Sequence, residues 1–464
     1  MKKISNPLRF VALFAAVGSL TLVVWLRFSS EPLSPRQKVT REAQPSDPLR
    51  IVLTRLAGDA PLDRQIGELQ TKVEAGTNRN ALLERLGWAF VAKARLSSDP
   101  GFYTLAEQAA KVITRDVPDD PAALLLLGHI RDAQHRFAEA EAIARGLTAR
   151  REFVFDYALL GDALMEQGKL SEAVEAYQKM VDLKPCLQTY SRVAHMRWLK
   201  GDLKGALGAT RLAVSAGSSR EPEPTAWAYT RLALYLLQDG DLTQAMTSTD
   251  LALQFAPDYA PALLMRGRLL LGQAKHEEAI APLQRAAAIS PLPDYLWPLA
   301  DALRATGRDP EANEVEARLT ATGPAADART FAVFLATKRR DASVAQKLAV
   351  TELESRQDIF THDAVAWAQL ANGRVQEARD SIGLALAEST KDARLFYHAG
   401  AIAAAAGEGA EALQYFGEAC SLEQMLLPSE RQDLSRRSAA LLARDSQISL
   451  NQQQPNNREK HHTH

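Results

Sequence analysis

The sequence is poor in cysteine and has no excess of charge of either sign. Its 464 residues include two cysteines, Cys186 and Cys420, and no CxxC motif, which excludes a zinc or redox site of that type. Lysine and arginine number 55 against 56 aspartate and glutamate, which gives a net charge of −1. Because no basic field or long basic run is present, we expect no nucleic-acid partner.

The sequence also lacks the short motifs that carry common enzymatic chemistry. No P-loop, GxSxG, HExxH or GxGxxG stands out. Carboxylate pairs such as Asp119–Asp120 and Glu277–Glu278 stand beside turns, where acidic side chains cap helices or face solvent. The sequence therefore predicts a protein that is not an enzyme, with no catalytic residue and no cofactor.

One long hydrophobic run is present, from Phe10 to Leu26. Its basic flanking residues are Lys2, Lys3, Arg9 and Arg27. Seventeen residues at about 1.5 Å each just reach across the hydrocarbon core of a bilayer, and basic residues before the run favour a cytoplasmic N-terminus. No small-x-small cleavage site follows, so we expect residues 1–27 to form a cytoplasmic stub and an uncleaved signal anchor. A cleaved signal peptide is the alternative.

Both interpretations place the rest of the chain outside the cytoplasm. Residues 28–48 carry four prolines among polar residues, which predicts a stiff linker between the membrane and the following domain. We therefore expect a single-pass protein of a bacterial inner membrane whose main domain faces the periplasm. If the signal is cleaved, the protein is secreted.

An alanine recurs through most of the remaining chain. Its positions are Ala140, Ala173, Ala206, Ala245, Ala279, Ala312, Ala345, Ala378 and Ala412. Twelve residues before each of them stands another residue of small or medium size, such as Gly128 or Gly161. A period of about 34 residues predicts a stack of helical hairpins rather than one globular core.

The segment 154–187 shows how each hairpin is built. Leu160, Gly161 and Leu164 lie on one face of the first helix, and Gly168 ends that helix. Ala173 begins the apolar stripe of the second helix. A small residue on each helix allows the two backbones to approach closely.

This spacing resembles that of tetratricopeptide repeats. The best matching segments are 154–187, 226–259, 260–293 and 393–426. The resemblance implies an all-α, right-handed α-solenoid of about ten hairpins that binds protein or peptide ligands in its concave groove. The arrangement of anchor, linker and solenoid is similar to that of bacterial envelope-anchored proteins of this family.

The repeats define the domain organisation. We expect an N-terminal cap and a variant repeat over 49–120, nine repeats over 121–427, a capping helix over 428–444 and a disordered tail over 445–464. The hairpin in 325–358 has Arg340 where the turn glycine is expected, which predicts an irregular turn.

The resemblance implies that a partner lies against the first helix of each hairpin, just after the Leu-Gly pair. The residues at this position, which we call the ladder, are Trp88, His129, Asp162, His195, Leu234, Arg268, Asp301, Phe334, Trp367 and Ala401. Adjacent helices pack about 8–10 Å apart, so ladder residues are neighbours on one surface. Two stretches of the ladder are polar: His129 to His195, and Arg268 with Asp301.

The stretch His129, Asp162 and His195 has three interpretations. In the first, Asp162 hydrogen-bonds and orients both imidazoles, so the stretch is structural. In the second, these side chains contact a partner. In the third, they hold a metal ion, although ligands one repeat apart do not easily converge to about 2 Å from one point.

Aromatic residues on or near the ladder have two interpretations. They are Trp88, Trp198, Trp297, Trp367 and Tyr397. Exposed Trp and Tyr are typical anchors for partners, whereas a Trp on a helix is often a core residue. Asp363 stands in the first turn of a helix, where it caps the helix or faces the groove beside Thr330 and Tyr397.

Together these features favour a membrane-tethered scaffold or adaptor. We expect it to bind a peptide or protein partner in the groove, outside the cytoplasm, during assembly, biogenesis or secretion of an envelope component. The alternative is an accessory factor that captures a metal ion or small ligand through His129, Asp162 and His195.

Overall fold

The computed structural model describes residues 47–453, and within this range the regular elements are helices. The predicted anchor and most of the linker lie outside the described residues. Among the described helices, none combines the length and the apolar character needed to cross a bilayer.

The described chain begins with two helices, α1 (Pro48–Val52) and α2 (Pro61–Glu74), where the N-terminal cap is predicted. Ten antiparallel helix pairs follow. Their bounds are α3 (Arg79–Ser97) with α4 (Gly101–Asp116), α5 (Pro121–Ala133) with α6 (Phe137–Thr148), α7 (Val154–Glu166) with α8 (Leu170–Leu183), α9 (Leu187–Leu199) with α10 (Leu203–Ser215), α11 (Pro222–Asp239) with α12 (Leu242–Phe255), α13 (Ala260–Gly272) with α14 (His276–Ile289), α15 (Pro293–Ala305) with α16 (Asp309–Ala326), α17 (Ala328–Thr337) with α18 (Ala342–Leu353), α19 (Ile359–Ala371) with α20 (Val375–Leu386), and α21 (Ala393–Ala405) with α22 (Gly409–Ser421).

A short C-terminal segment completes the described chain. A 3₁₀ turn (Glu423–Met425) leads into α23 (Pro428–Gln453). This helix continues beyond the predicted end at residue 444, into the part of the chain predicted to be a disordered tail.

The recurring alanine is the contact point inside each hairpin. All nine alanines, from Ala140 to Ala412, are fully buried. The small residue twelve positions before the alanine also leaves no room for a larger side chain. A Cβ added to Gly161 would lie 2.3 Å from the Tyr177 ring. A Cβ on Gly400 would lie 2.4 Å from the Phe416 ring. Small residues at these two positions therefore set the distance between the paired helices.

The hairpin with Arg340 has an irregular turn. Its first helix, α17, has only 10 residues. Arg339 and Asp341 both take positive φ angles, of 53° and 45°. Glycine adopts such angles at little cost, so the absence of a turn glycine leaves two non-glycine residues in this conformation.

The stack curves so far that hairpins distant in sequence touch. The first helices of four consecutive hairpins end with carbonyl groups that lie beyond the last intrahelical donor, although Leu237 O and Leu271 O also accept from Gly240 N and Ala274 N of the following turn. Each receives a donor from a later part of the chain: Gln357 N to Glu166 O (2.9 Å), Thr390 Oγ1 to Leu199 O, Gln424 Nε2 to Leu237 O (3.1 Å) and Arg431 Nη2 to Leu271 O (2.7 Å). We call these four hydrogen bonds the closure contacts.

Two turn glycines permit this approach. Gly168 and Gly201 have φ angles of 72° and 75°, and an added Cβ would lie 2.6 Å from Gln357 O and Ser389 O, respectively. Gly373 has nearly the same φ, 74°, but nothing lies within 4 Å of its Cβ position. Gly168 and Gly201 are therefore required both for their conformation and for the contact with a later hairpin.

The pair Gly201→Ala and Gly373→Ala tests this contact. Both substitutions place a Cβ at positive φ, which costs about 1–2 kcal/mol, but only the first also meets a carbonyl oxygen. We expect Gly201→Ala to lower the urea midpoint of unfolding more than Gly373→Ala, and to increase the radius of gyration in X-ray scattering. Equal effects of the two substitutions would show that the closure contact at Leu199 contributes nothing.

Candidate functional site

Three adjoining cavities lie inside the curved stack, and His195 lines all of them. The first has a volume of about 430 Å³, the second about 310 Å³ and the third about 340 Å³. Trp227 and Arg231 line the first cavity. Because the first helices of the hairpins contribute most of the walls, the cavities lie on the face that the ladder predicts.

The first two ladder residues form a tilted aromatic pair, with 49° between their ring planes. The rings of Trp88 and His129 lie 5.3 Å apart between centroids, and both side chains are half-buried. Burial, with a smaller effect of Arg95, lowers the pKa of His129 to about 4. His129 is therefore a neutral side chain at physiological pH.

Asp162 does not orient the histidines, so the structural interpretation of a His-Asp-His hydrogen-bond ladder is wrong. Its carboxylate accepts hydrogen bonds from Tyr177 Oη (2.7 Å) and Arg192 Nε (2.8 Å). A second nitrogen of Arg192 completes a two-pronged ion pair. Guanidinium donors match a carboxylate in this geometry, so Arg192 holds Asp162 in place of an imidazole.

His195 is paired with an arginine. Arg231 Nη2 lies 3.1 Å from His195 Nδ1. Since a guanidinium can only donate, Nδ1 accepts, and the neutral ring carries its proton on Nε2. Burial, followed by the positive charge of Arg231, lowers the pKa of His195 to about 3.

Trp198 is a core residue rather than an exposed anchor. It is 5% exposed, and its ring stacks against Phe360 with 5.8 Å between centroids. Its Nε1 donates to Gln238 Oε1 (2.6 Å), and Gln238 Nε2 donates to Lys391 O (2.6 Å). Trp198 therefore supports the closed stack from inside.

The Arg268 and Asp301 stretch of the ladder contacts the C-terminal segment of the chain. Arg268 Nη2 donates to Met425 O (2.9 Å), and Asp301 accepts from Ser429 N (3.1 Å). Asp301 also pairs with Lys338 Nζ at 3.1 Å. A partner that uses this face has to compete with residues 422–431.

The last predicted site residues are also buried. Trp367 stacks on His398 with 3.9 Å between ring centroids, and Tyr397 Oη donates to Asp433 Oδ2 (2.6 Å). Asp363 Oδ1 lies 2.8 Å from His398 Nδ1. Trp367 and Tyr397 therefore belong to the packing of the last repeats, and Trp297 is buried in the same way, 1% exposed.

Asp363 does not cap its helix. Asp358 is the N-cap of α19 and accepts from Thr361 N (2.8 Å). Asp363 instead lines the second cavity together with Thr330. This position agrees with the second of its two interpretations, in which Asp363 faces the groove beside Thr330.

Two residues of the first cavity were missed by the sequence interpretation. Trp227 is 37% exposed, and Arg231 follows it by one helical turn on α11. The sequence contains a pattern that could have identified Arg231, because Arg192 and Arg231 both stand three positions before a ladder residue. Residues three positions before the ladder therefore form a second row on the same helix face, and Arg192 and Arg231 of this row line the cavity.

The first cavity has one uncompensated positive charge. Arg95 pairs with Glu223 (3.3 Å), and Arg192 pairs with Asp162. Arg231 has no carboxylate partner among the described residues; its other contacts are a hydrogen bond to Tyr235 Oη (3.0 Å) and the faces of the Trp198 and Tyr235 rings. Aromatic faces attract a cation but do not neutralise it.

The metal interpretation has no support in this geometry. Within residues 47–453, no three His, Cys, Asp or Glu side chains converge as metal ligands would. Asp162 is engaged by Arg192, and His195 Nδ1 by Arg231.

A family model for the tetratricopeptide repeat matches residues 157–185, which fall in the hairpin of α7 and α8. The predicted resemblance to this family is confirmed, and with it the expectation of a helical-repeat protein. No curated protein matches this chain.

Several solved structures are similar to this chain. A thermophilic TPR protein of Thermus thermophilus has 21% identity over 41% of this chain and 99% of its own, with a TM-score of 0.36. A crystal structure of MamA has 20% identity over 35% and 93%, with a TM-score of 0.29. A monomeric mutant of IFIT1 with m7Gppp-AAAA has 13% identity over 70% and 75%, with a TM-score of 0.45.

The substitution His195→Gln tests the protonation state of the site. The unfolded chain takes up a proton on this histidine near its ordinary pKa of about 6.5, whereas the folded chain excludes it until about pH 3. Stability is therefore lost as pH falls below about 6.5. Between pH 7 and pH 5 we expect the wild type to lose about 2 kcal/mol more than the variant in urea unfolding. Parallel stability curves would contradict a neutral, buried His195.

Proposed function

We propose that this tetratricopeptide-repeat protein is a scaffold that binds a segment of a partner protein against the wall of the first cavity, while tethered to a membrane by its N-terminal segment. The observation that carries the proposal is the combination of Trp227 and Arg231 on one face of α11, inside the curved stack. Trp and Arg are the side chains most often found to anchor protein partners.

The location of the binding surface follows from what already covers the ladder. Residues 422–431 contact Arg268 and Asp301, whereas Trp88, His129 and His195 are half-buried and take their hydrogen bonds and ring contacts, within the described residues, from other parts of the chain. A partner segment therefore binds along the N-terminal part of the ladder, from Trp88 to the first cavity.

The chemistry of this surface suits an extended polypeptide. Arg231 donates hydrogen bonds, the Gln188 amide both donates and accepts, and the indole of Trp227 offers a flat apolar face. An extended segment presents backbone carbonyls and alternating side chains to such a wall. Because the buried alanines and closure contacts hold the helices in place, little conformational entropy is lost on binding.

The tether is proposed from the sequence. The run Phe10–Leu26 with its basic flanks has the length and charge distribution of a signal anchor. With such an anchor, we propose that the repeats lie outside the cytoplasm of a bacterial cell, where the scaffold assists the assembly, biogenesis or secretion of envelope components.

Photo-crosslinking tests the binding surface. A photoreactive phenylalanine analogue is placed at Trp227 in one variant and at Leu212 in a matched control, since Leu212 is a large apolar residue that is 50% exposed on α10. In native membranes we expect discrete crosslinked protein species at position 227 and none at position 212. Mass spectrometry then identifies the partner. Absence of crosslinks at 227, or the same species at both positions, would overturn the proposed surface.

Membrane extraction tests the tether. The full chain is expected to stay with the membrane fraction after carbonate washing, because a spanning segment resists extraction that removes peripheral proteins. Deletion of residues 2–27 should release the chain into the soluble fraction, whereas deletion of residues 454–464 should not. A full chain that is released by carbonate would contradict the anchor.

A further inference from the structure

We propose that the first cavity is also a binding site for an organic monocarboxylate, whose carboxylate pairs with Arg231 and whose apolar body lies against Trp227. The inference goes beyond the proposed scaffold function, because it assigns a ligand of defined chemistry and does not require a protein partner.

Among the charged residues that line the first cavity, Arg231 is the cation that no carboxylate pairs with. Three arginines line it, Arg95, Arg192 and Arg231, against two carboxylates, Asp162 and Glu223. Each carboxylate is already paired, to Arg192 and Arg95 respectively. His195 adds no charge, because burial holds its pKa at about 3. A monoanion neutralises the remaining guanidinium, whereas a dianion would leave a partly buried negative charge.

The hydrogen-bond donors of the site remain available to a carboxylate. The contacts of Arg231 with His195 and Tyr235 both use Nη2, so Nε and Nη1 keep their protons for another acceptor. His195 Nε2–H is a further donor among the residues that line the cavity, since Nδ1 is occupied. Donors on a guanidinium and on a neutral imidazole bind an anion without any change of protonation near pH 7.

The orientation of Arg231 is fixed before any ligand binds. Its guanidinium carbon lies 5.2 Å from the centroid of the Tyr235 ring and 5.9 Å from that of Trp198. Both rings are buried, so the side chain is held at the cavity wall. Such preorganisation reduces the entropy that a ligand loses on binding.

Much of the remaining wall is apolar, although Gln188 and Ser191 also line it. Met165, Leu187, Pro224 and Trp227 line the same cavity, and its volume of about 430 Å³ lies within the range of small-molecule sites. A ligand with a carboxylate and an aromatic or aliphatic body therefore fits a cavity that has Arg231 on one part of its wall and apolar side chains on another. Two sources supply that chemistry: a free organic acid, or the carboxyl terminus of a peptide that ends in an apolar residue.

Calorimetric titration of the full chain tests the site. The free acid is represented by 3-phenylpropionate, with 3-phenylpropanamide as its neutral analogue. The peptide end is represented by acetyl-glycyl-phenylalanine and its amide. We expect at least one of the two acids to bind at a single site, at least tenfold more tightly than its amide. Binding of 3-phenylpropionate identifies a free acid as sufficient, and binding of the peptide acid alone identifies a peptide terminus as the source.

Two variants assign the binding to Arg231. Arg231→Gln should weaken binding of the acid at least tenfold and remove its preference over the amide. Arg211→Gln is the matched control, because Arg211 is exposed on α10 and lines none of the three cavities; this variant should bind like the wild type.

The inference is overturned if neither acid binds, if each amide binds as tightly as its acid, or if Arg231→Gln retains the affinity and the preference. The comparison of acid with amide uses the wild-type chain and so does not depend on the folding of a variant. Crosslinking at position 227 that succeeds while the acids fail would leave the scaffold function intact and remove this inference alone.

Discussion

The hydrogen bonds between the ends of four helices and distant parts of the chain are the constraint on which the arrangement of the site depends. At the ends of α7, α9, α11 and α13, backbone carbonyls accept hydrogen bonds from donors that lie far away in sequence. Two of these carbonyls, Leu237 O and Leu271 O, also accept from a backbone N–H of the following turn. A helix C-terminus is also electronegative, which favours the side-chain donor Arg431. These bonds bring the inner helix faces together, so that His195 borders three cavities instead of one open groove.

Polar interactions inside this closed stack follow a common pattern, in which an arginine pairs with each of several carboxylates. Arg192 neutralises Asp162, Arg394 neutralises the buried Glu430, and Arg329 pairs with Asp358 at 2.7 Å. Desolvation and the nearby positive charge of Arg394 lower the pKa of Arg268, yet its hydrogen bond goes to a backbone carbonyl. Arg231 differs from Arg192, its counterpart one repeat earlier, because within the described residues no carboxylate forms an ion pair with it.

The hairpins could be predicted from the sequence because each is determined within about 34 residues. Ala173, Gly161 and Gly168 signal helix contact and turn without reference to any other repeat. The closure contacts could not be predicted, because Gln357 and Glu166 meet only after the small rotations between several hairpins accumulate. His195 lies on the cavity wall, on the face that the ladder predicts. Its predicted hydrogen bond to Asp162 was wrong, because Nδ1 contacts Arg231. Arg192 and Arg231 belong to a neighbouring row that the spacing of the Leu-Gly pairs does not mark.

The contacts of residues 422–431 with Arg268 and Asp301 have a consequence for competition. A segment held by its own chain is present at an effective concentration in the millimolar range when the connection is short and flexible. The 3₁₀ turn follows α22 almost directly, so the C-terminal segment has little freedom to leave. A free peptide that makes the same contacts has to reach a comparable concentration before it occupies half of these faces. Selectivity along the stack therefore arises from connectivity as well as from side-chain chemistry.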